Sequence, residues 1–336
     1  MPDPASQPAS SPEPGPLSEV AAPAAQAPHA APSAKAGRVY TRETLDLAPD
    51  EILTLGDDDR LENCTIRYGG VIVRGDRVAV RRVRFEGARE TKPHYRGALD
   101  FRHCVGGSFH DIVFDHTSRG VVLSAQGSKT ARIEDCAFGD LRGVGGWHPD
   151  NGAEFFLIEE SYGPVRNLSI ANLITTGWWG PTFQAWAPGG VDFGNIRVRN
   201  VRADNGAVVL RGPRVSGVSV TGVHLDKGYV AIGGGALGNY VEGAIGHRPS
   251  PFDGVRNQTP DGLVNRWREF IAPAGLAVDP GNHVEMRLGW ADHRMPGGVV
   301  RDVDEHERMA VTYVSRDMDW RPGPGEAVDP GFSAWR

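Results

Sequence analysis

One six-residue pattern recurs along this chain and limits its fold more than any other feature: apolar, any, corner, apolar, any, apolar. It reads Leu61-Glu62-Asn63-Cys64-Thr65-Ile66, Val80-Arg81-Arg82-Val83-Arg84-Phe85, Phe109-His110-Asp111-Ile112-Val113-Phe114 and Ile133-Glu134-Asp135-Cys136-Ala137-Phe138. It continues as Ile170-Ala171-Asn172-Leu173-Ile174-Thr175, Val198-Arg199-Asn200-Val201-Arg202-Ala203 and Val220-Thr221-Gly222-Val223-His224-Leu225, and fades around Gly243. Six of the seven corners are Asn, Asp or Gly, the residues that enter a left-handed backbone turn at low steric cost. Successive corners are 19, 29, 24, 37, 28, 22 and 21 residues apart. The short steps set a rung of about 20 residues, and the longer ones are rungs with insertions. Such a rung holds several short strands that bury a face only by stacking, which predicts an all-β parallel solenoid. Helical repeats lack this alternation, and a propeller blade needs four strands in each repeat of about 40 residues.

Composition agrees with this reading. The 44 Gly and 25 Pro among 336 residues argue against a helix bundle. No apolar run approaches the roughly 18 residues of a membrane helix. A net charge of −6 provides no global basic field for nucleic acid, so neither nucleic acid nor membrane insertion is expected. Cys64, Cys104 and Cys136 lack metal-site spacing, and Cys64 and Cys136, which share one apolar slot of the pattern, are expected as buried small hydrophobes. Asp57-Asp58-Asp59 does not have the spacing of an EF-hand loop and reads as a solvated turn, so no cofactor or Ca²⁺ is assigned. Gly233 to Gly238 matches a dinucleotide fingerprint, but no helical pattern follows it.

Three regions are expected. Residues 1–37 form a disordered tether, since 20 of the first 36 residues are Ala or Pro, with Pro interrupting any signal-like apolar run. Residues 38–246 form the coil. Residues 247–336 lose the corner pattern and read as a small β-rich cap or an oligomerisation region, for which a homotrimer or other homo-oligomer is expected.

The links that precede a second set of apolar stretches vary most in length, so insertions gather along one edge, as at the binding face of a repeat protein. The loops expected there are 86–97, 115–119, 139–152 and 176–182. If Leu99, Val121, Ala153, Phe183 and Val208 point inward, then Asp100, Val122, Glu154, Gln184 and Val209 form an outward row. Arg102, Ser124, Phe156, Trp186 and Arg211 form a second. This register puts the Asp100 and Glu154 backbones about 9–10 Å apart, compatible with the two carboxyls of an inverting glycosidase. His148 and Asp150 form a candidate acid/base pair or, alternatively, a Pro-Asp-Asn-Gly turn. Trp147, Trp178, Trp179 and Trp186 offer flat faces for sugar rings or else pack loops onto the coil. Arg102, Arg119 and Arg211 are candidate forks for a sugar carboxylate.

The Asn-bearing corners over residues 40–245, with the run Trp147-His148-Pro149-Asp150-Asn151-Gly152-Ala153-Glu154-Phe155-Phe156, resemble right-handed parallel β-helix proteins of the pectate-lyase-like superfamily. The run is similar to a His-Pro-Asp-Gly-x-Gln segment of bacterial and phage β-helix proteins, but is one residue longer and carries Glu154 where that segment has Gln. The resemblance implies an extracellular, cell-surface or virion-associated protein acting on polysaccharide. It leaves three readings open: a lyase using His148 and Arg119, a hydrolase using Asp100 and Glu154, or a non-enzymatic attachment protein such as a tailspike, fibre or structural solenoid.

Overall fold

The computed structural model describes residues 37–91, 94–128, 130–146, 153–159, 163–178, 180–187, 193–233, 235–247, 276–278, 282–288, 298–303 and 311–315. The expected tether and most of the region after 247 lie outside these residues. Among the described residues the chain is all-β, and no helix is long and apolar enough to cross a membrane.

Nearly every strand pairs in parallel with its counterpart one rung on, which is the arrangement of a parallel β-solenoid. One sheet face runs from Arg60–Glu62 through residues 79–81, 108–110, 137–139, 169–171 and 197–199 to 219–221. A second runs from Thr65–Arg67 through 84–86, 113–115, 142–144 and 174–175 to 202–203. A third stacks Ile52–Leu55, Gly70–Val73, Leu99–Phe101, Val121–Leu123, Phe156–Ile158 and Phe183–Trp186, then residues 208–211 and 230–233. Leu276–Val278 and His283–Leu288 add further parallel pairs. Gly298–Val303 and Val311–Ser315 pair antiparallel.

All seven corners named above have positive φ, between 52° and 64°. They do not form one column. Left-handed residues recur five positions apart within a rung, so Asp58, Arg77, Gly106, Asp135, Asn167, Asn195 and Gly217 make one column. Asn63, Arg82, Asp111, Asp140, Asn172, Asn200 and Gly222 make the second, and Tyr68, Gly87, His116, Gly145 and Gly177 a third. Asp135 therefore belongs to the first column and Asp140 takes its place in the second, which turns the steps of 24 and 37 into 29 and 32. The columns are laced by side-chain amides: Asn172 Nδ2 donates to Asp140 Oδ1 at 2.7 Å, Asn200 to Asn172 at 2.6 Å, Asn167 to Asp135 at 3.0 Å and Asn195 to Asn167 at 3.1 Å. Asn and Asp thus satisfy the turn and its neighbour together.

The pattern skips Asp140 for a packing reason. Three residues past the corner, where Phe85 and Phe114 stack at 5.2 Å, the next rung carries Gly143. A Cβ there would lie 2.5 Å from the Trp178 ring and 2.8 Å from Phe155. Trp178 enters the coil and fills the volume that an apolar residue 143 would occupy, with its indole N–H donating to the Ala153 carbonyl. All three cysteines are buried free thiols.

Candidate functional site

The third sheet face carries an ionic cluster beneath the segment that links the second face to Leu99–Phe101. Strand alternation aims Asp100 outward between the inward Leu99 and Phe101. Its row across the sheet is Ile72, Asp100, Val122, Leu157, Gln184, Val209 and Ala231. Two residues on, the outward row continues through Arg102, Ser124, Glu159, Trp186 and Arg211.

The expected register therefore changes at one rung. Phe156–Ile158, not residues 153–155, pairs with Val121–Leu123, so Leu157 stands where Glu154 was expected and Glu159 where Phe156 was. Glu154 lies beside Arg119, two rungs and three residues from Asp100, which separates their backbones by about 14 Å rather than 9–10 Å. The physical reason is the interior. Phe155 turns in at the bend to pack edge-on against Phe114 at 5.7 Å and Trp178 at 5.1 Å, and the strand begins one residue later.

Residues 88–91 and 94–98 close over this face. Tyr95 lays its ring against Gly70, where a Cβ would meet it at 2.7 Å, and its hydroxyl donates to the carbonyls of Pro49 at 2.7 Å and Tyr68 at 3.2 Å. Burial pushes that hydroxyl up to about 12. The Ser118 N–H donates to the Ala88 carbonyl, and the Ala98 N–H to that of Arg119. The covered charges alternate in sign. Arg119 Nη1 meets Glu90 at 3.0 Å and its Nε meets Glu154 at 2.6 Å, with the three side chains 5%, 3% and 9% exposed. The Arg96 guanidinium pairs with Glu159, and the Arg96 N–H donates to Asp100 Oδ2 at 3.3 Å. Arg102 Nη2 lies 3.4 Å from Asp100 Oδ2 and donates to the His94 carbonyl, while its Nε is buried without a hydrogen-bond partner.

Among the described residues the cluster brings together four carboxylates and three guanidiniums. Burial raises the Asp100 carboxyl above the ordinary Asp range, and Glu159 adds to the rise, against the opposing pull of Arg102 and the Arg96 N–H. A buried carboxyl beside a fixed ion pair is poised to hold a proton and release it.

Of the residues singled out from the sequence, Asp100, Arg102, Arg119 and Glu154 meet in this cluster. Gln184 is half-buried, and Trp186 and Arg211 stand exposed and paired in register beyond it. Trp178 lies wholly inside the coil, so its indole is a core side chain. Trp147, His148, Asp150 and Trp179 lie outside the described residues. Residues 139–144, expected as loop, lie in the strand Ala137–Val144.

Glu90 and Arg96 fall within the expected loop 86–97 without being singled out there, and Glu159 is not anticipated. The signal for Glu159 was its place directly after an apolar triplet, where Arg102 and Ser124 stand in their rungs. Asp57, Asp58 and Asp59 are engaged by the Asp76 N–H, Arg77 and Arg38 respectively. Among the described residues, no group of three His, Cys, Asp or Glu side chains is placed to hold a metal ion.

Comparison with family models, curated proteins and solved structures returns no match to this chain.

Proposed function

We propose that this is a carbohydrate-active parallel β-helix protein, coiled in the right-handed sense of the pectate-lyase-like proteins it resembles, that binds and hydrolyses a polysaccharide at the outer face around Asp100. The observation that carries the reading is the buried Asp100 carboxyl, its proton affinity raised, held by the Arg96 N–H whose own side chain is paired to Glu159. Glycoside hydrolysis needs one carboxyl that delivers a proton and a second that stays charged. Asp100 suits the first role, and Glu159, paired with the Arg96 guanidinium, is the carboxyl placed for the second.

Two rungs and two residues separate them, about 12 Å between backbones, and side chains converging from both ends bring the carboxyls toward the spacing of inverting enzymes. Lysis by Arg119 is less favoured, because both faces of its guanidinium are occupied by carboxylates. Trp186, 39% exposed beside Arg211, supplies an aromatic face and a cation for a sugar subsite.

The exposure of Trp186 outside the cluster also favours a second reading, a glycan-binding attachment protein whose ionic cluster is purely structural. Incubation with a panel of acidic and neutral polysaccharides separates the two. Hydrolysis predicts new reducing ends without unsaturated uronic products. Ultraviolet-absorbing products would establish lysis instead, and binding without cleavage across the panel would establish attachment.

A further inference from the structure

Gly107, like Gly143, leaves its place in the interior to other side chains. The residue after a first-column corner points inward, and over successive rungs this slot reads Val78, Gly107, Cys136, Leu168, Ile196 and Val218. A Cβ on Gly107 would meet the Cys104 sulfur at 2.6 Å and the Phe109 ring at 2.6 Å. The Cys104 thiol therefore fills the position that residue 107 vacates. The Ala137 N–H donates to the Gly107 carbonyl, which places Cys136 in register with Gly107, one rung on and about 4.8 Å away. The two thiols are stacked neighbours in one slot, although 32 positions separate them along the chain.

Cys136 Sγ lies 3.6 Å from the Cys104 carbonyl oxygen. The thiols also hydrogen-bond to each other, which holds the Cys136 proton less tightly than in an isolated cysteine and the Cys104 proton more tightly. Cys64 stands apart. It follows a corner of the second column, and its thiol donates to the Glu62 carbonyl at 3.2 Å. The common slot expected for Cys64 and Cys136 thus gives way to one shared by Cys104 and Cys136.

We infer that Cys104 and Cys136 form a disulfide site that staples adjacent rungs of the coil. The inference is independent of the polysaccharide reading. A low-molecular-weight disulfide serves as oxidant. The Cys136 thiolate attacks one of its sulfurs and expels a small thiolate, leaving a mixed disulfide on Cys136. Cys104 then gives up its proton and attacks the Cys136 sulfur, expelling the second small thiolate. The two cysteines lose two protons and two electrons, and the small disulfide is reduced to two thiols. Both cysteines are buried, so the exchange takes place while the rungs open locally, and the closed coil shields the finished bridge. A disulfide is uncharged and suits this apolar slot, where a thiolate pair holding a soft metal ion would bury charge. The bridge closes a loop through Asp111, Arg119 and Leu123, one turn of the coil across all three sheet faces.

The test uses the full chain in buffers of reduced and oxidised glutathione, brought to equilibrium from both sides, once native and once in concentrated urea. Intact mass and peptide mapping after an acid quench read the result. The native chain should lose two protons, join Cys104 to Cys136 alone and leave Cys64 a thiol, whereas the unfolded chain should mix all three pairings. The Cys104–Cys136 bridge should be at least about tenfold more favourable in the native chain than in the unfolded one. By linkage, the oxidised protein should then unfold at a higher urea concentration than the reduced one. Cys64→Ala should keep that difference and Cys104→Ala should abolish it. A bridge no more favourable in the native chain than in urea would overturn the inference. So would a native bridge to Cys64, or glutathione retained on Cys136 with Cys104 still a thiol. The mapping is made on the unsubstituted chain, so it decides the matter even where an alanine variant fails to fold.

Discussion

Replacing Arg119 with Met removes a cation that touches both Glu90 and Glu154, and it does so where none of the three side chains is more than 9% exposed. Met fills much of the arginine stem's volume, so the loss is chiefly electrostatic. Breaking one buried ion pair by deleting a partner costs about 3–5 kcal/mol, because the abandoned charge stays out of water. Both carboxylates lose this partner, and the expected loss is about 3–5 kcal/mol, the size of one broken buried pair. Glu154, paired at the shorter distance of 2.6 Å, should account for most of it.

Urea unfolding of the full chain measures the loss as a shift in midpoint at constant slope. The sign with pH is fixed. In the variant, a stranded carboxylate binds a proton more tightly folded than unfolded, so its penalty is present above the carboxylate range and fades as pH falls through it. Glu154→Gln in the Arg119→Met background should restore most of the stability at neutral pH. A loss below about 1 kcal/mol at neutral pH would refute the reasoning, because that is the size of a solvated surface pair. A loss independent of pH would refute it as well.

Other expectations follow from the same geometry. Gly143→Ala forces a methyl to 2.5 Å from the Trp178 ring and should cost about 1–3 kcal/mol in thermal or urea unfolding, whereas the same change at Gly127, which has open space but φ of 104°, should cost only backbone strain. Asn172→Ala removes the left-handed preference, the 2.7 Å bond to Asp140 and the 2.6 Å bond from Asn200 together, for a loss of about 1–3 kcal/mol; Asn172→Gly should recover the backbone part. Because burial raises Asp100, its carboxyl costs stability above the ordinary Asp range and nothing well below it. Asp100→Asn should thus gain stability relative to wild type as pH rises from about 3 to 7, and a constant difference across that range would contradict the shift.

Much of the coil was legible because a left-handed corner leaves a residue signature. Asn63, Asp111, Asn172 and Asn200 stand out by type between apolar neighbours, and each has the expected φ. Arg82 was found only by its neighbours, and the third set of left-handed residues, including Tyr68 and His116, was not legible because neither side chain favours that conformation. Confusion of Asp135 with Asp140 arose because the first two corners of a rung share one local pattern, and Gly143 hid the second by yielding its volume to a tryptophan 35 positions on. The cluster was half legible. Asp100, Arg102, Arg119 and Glu154 were named, but their mutual pairing depends on a strand start that Phe155 obscured. The run Phe155-Phe156-Leu157-Ile158 offers no alternation by which to choose its register. Local pattern fixes corners well; the phase of a rung is set by what fills its interior.

The central claim, hydrolysis through Asp100 and Glu159 on the outer face, is tested most directly by reducing-end release from the responsive polysaccharide with Asp100→Asn, Glu159→Gln and Trp186→Ala compared side by side. The account predicts a loss of at least about 100-fold in turnover for each of the first two, and weaker substrate binding with turnover largely kept for the third. Turnover retained in both carboxyl variants, with folding intact, would contradict it.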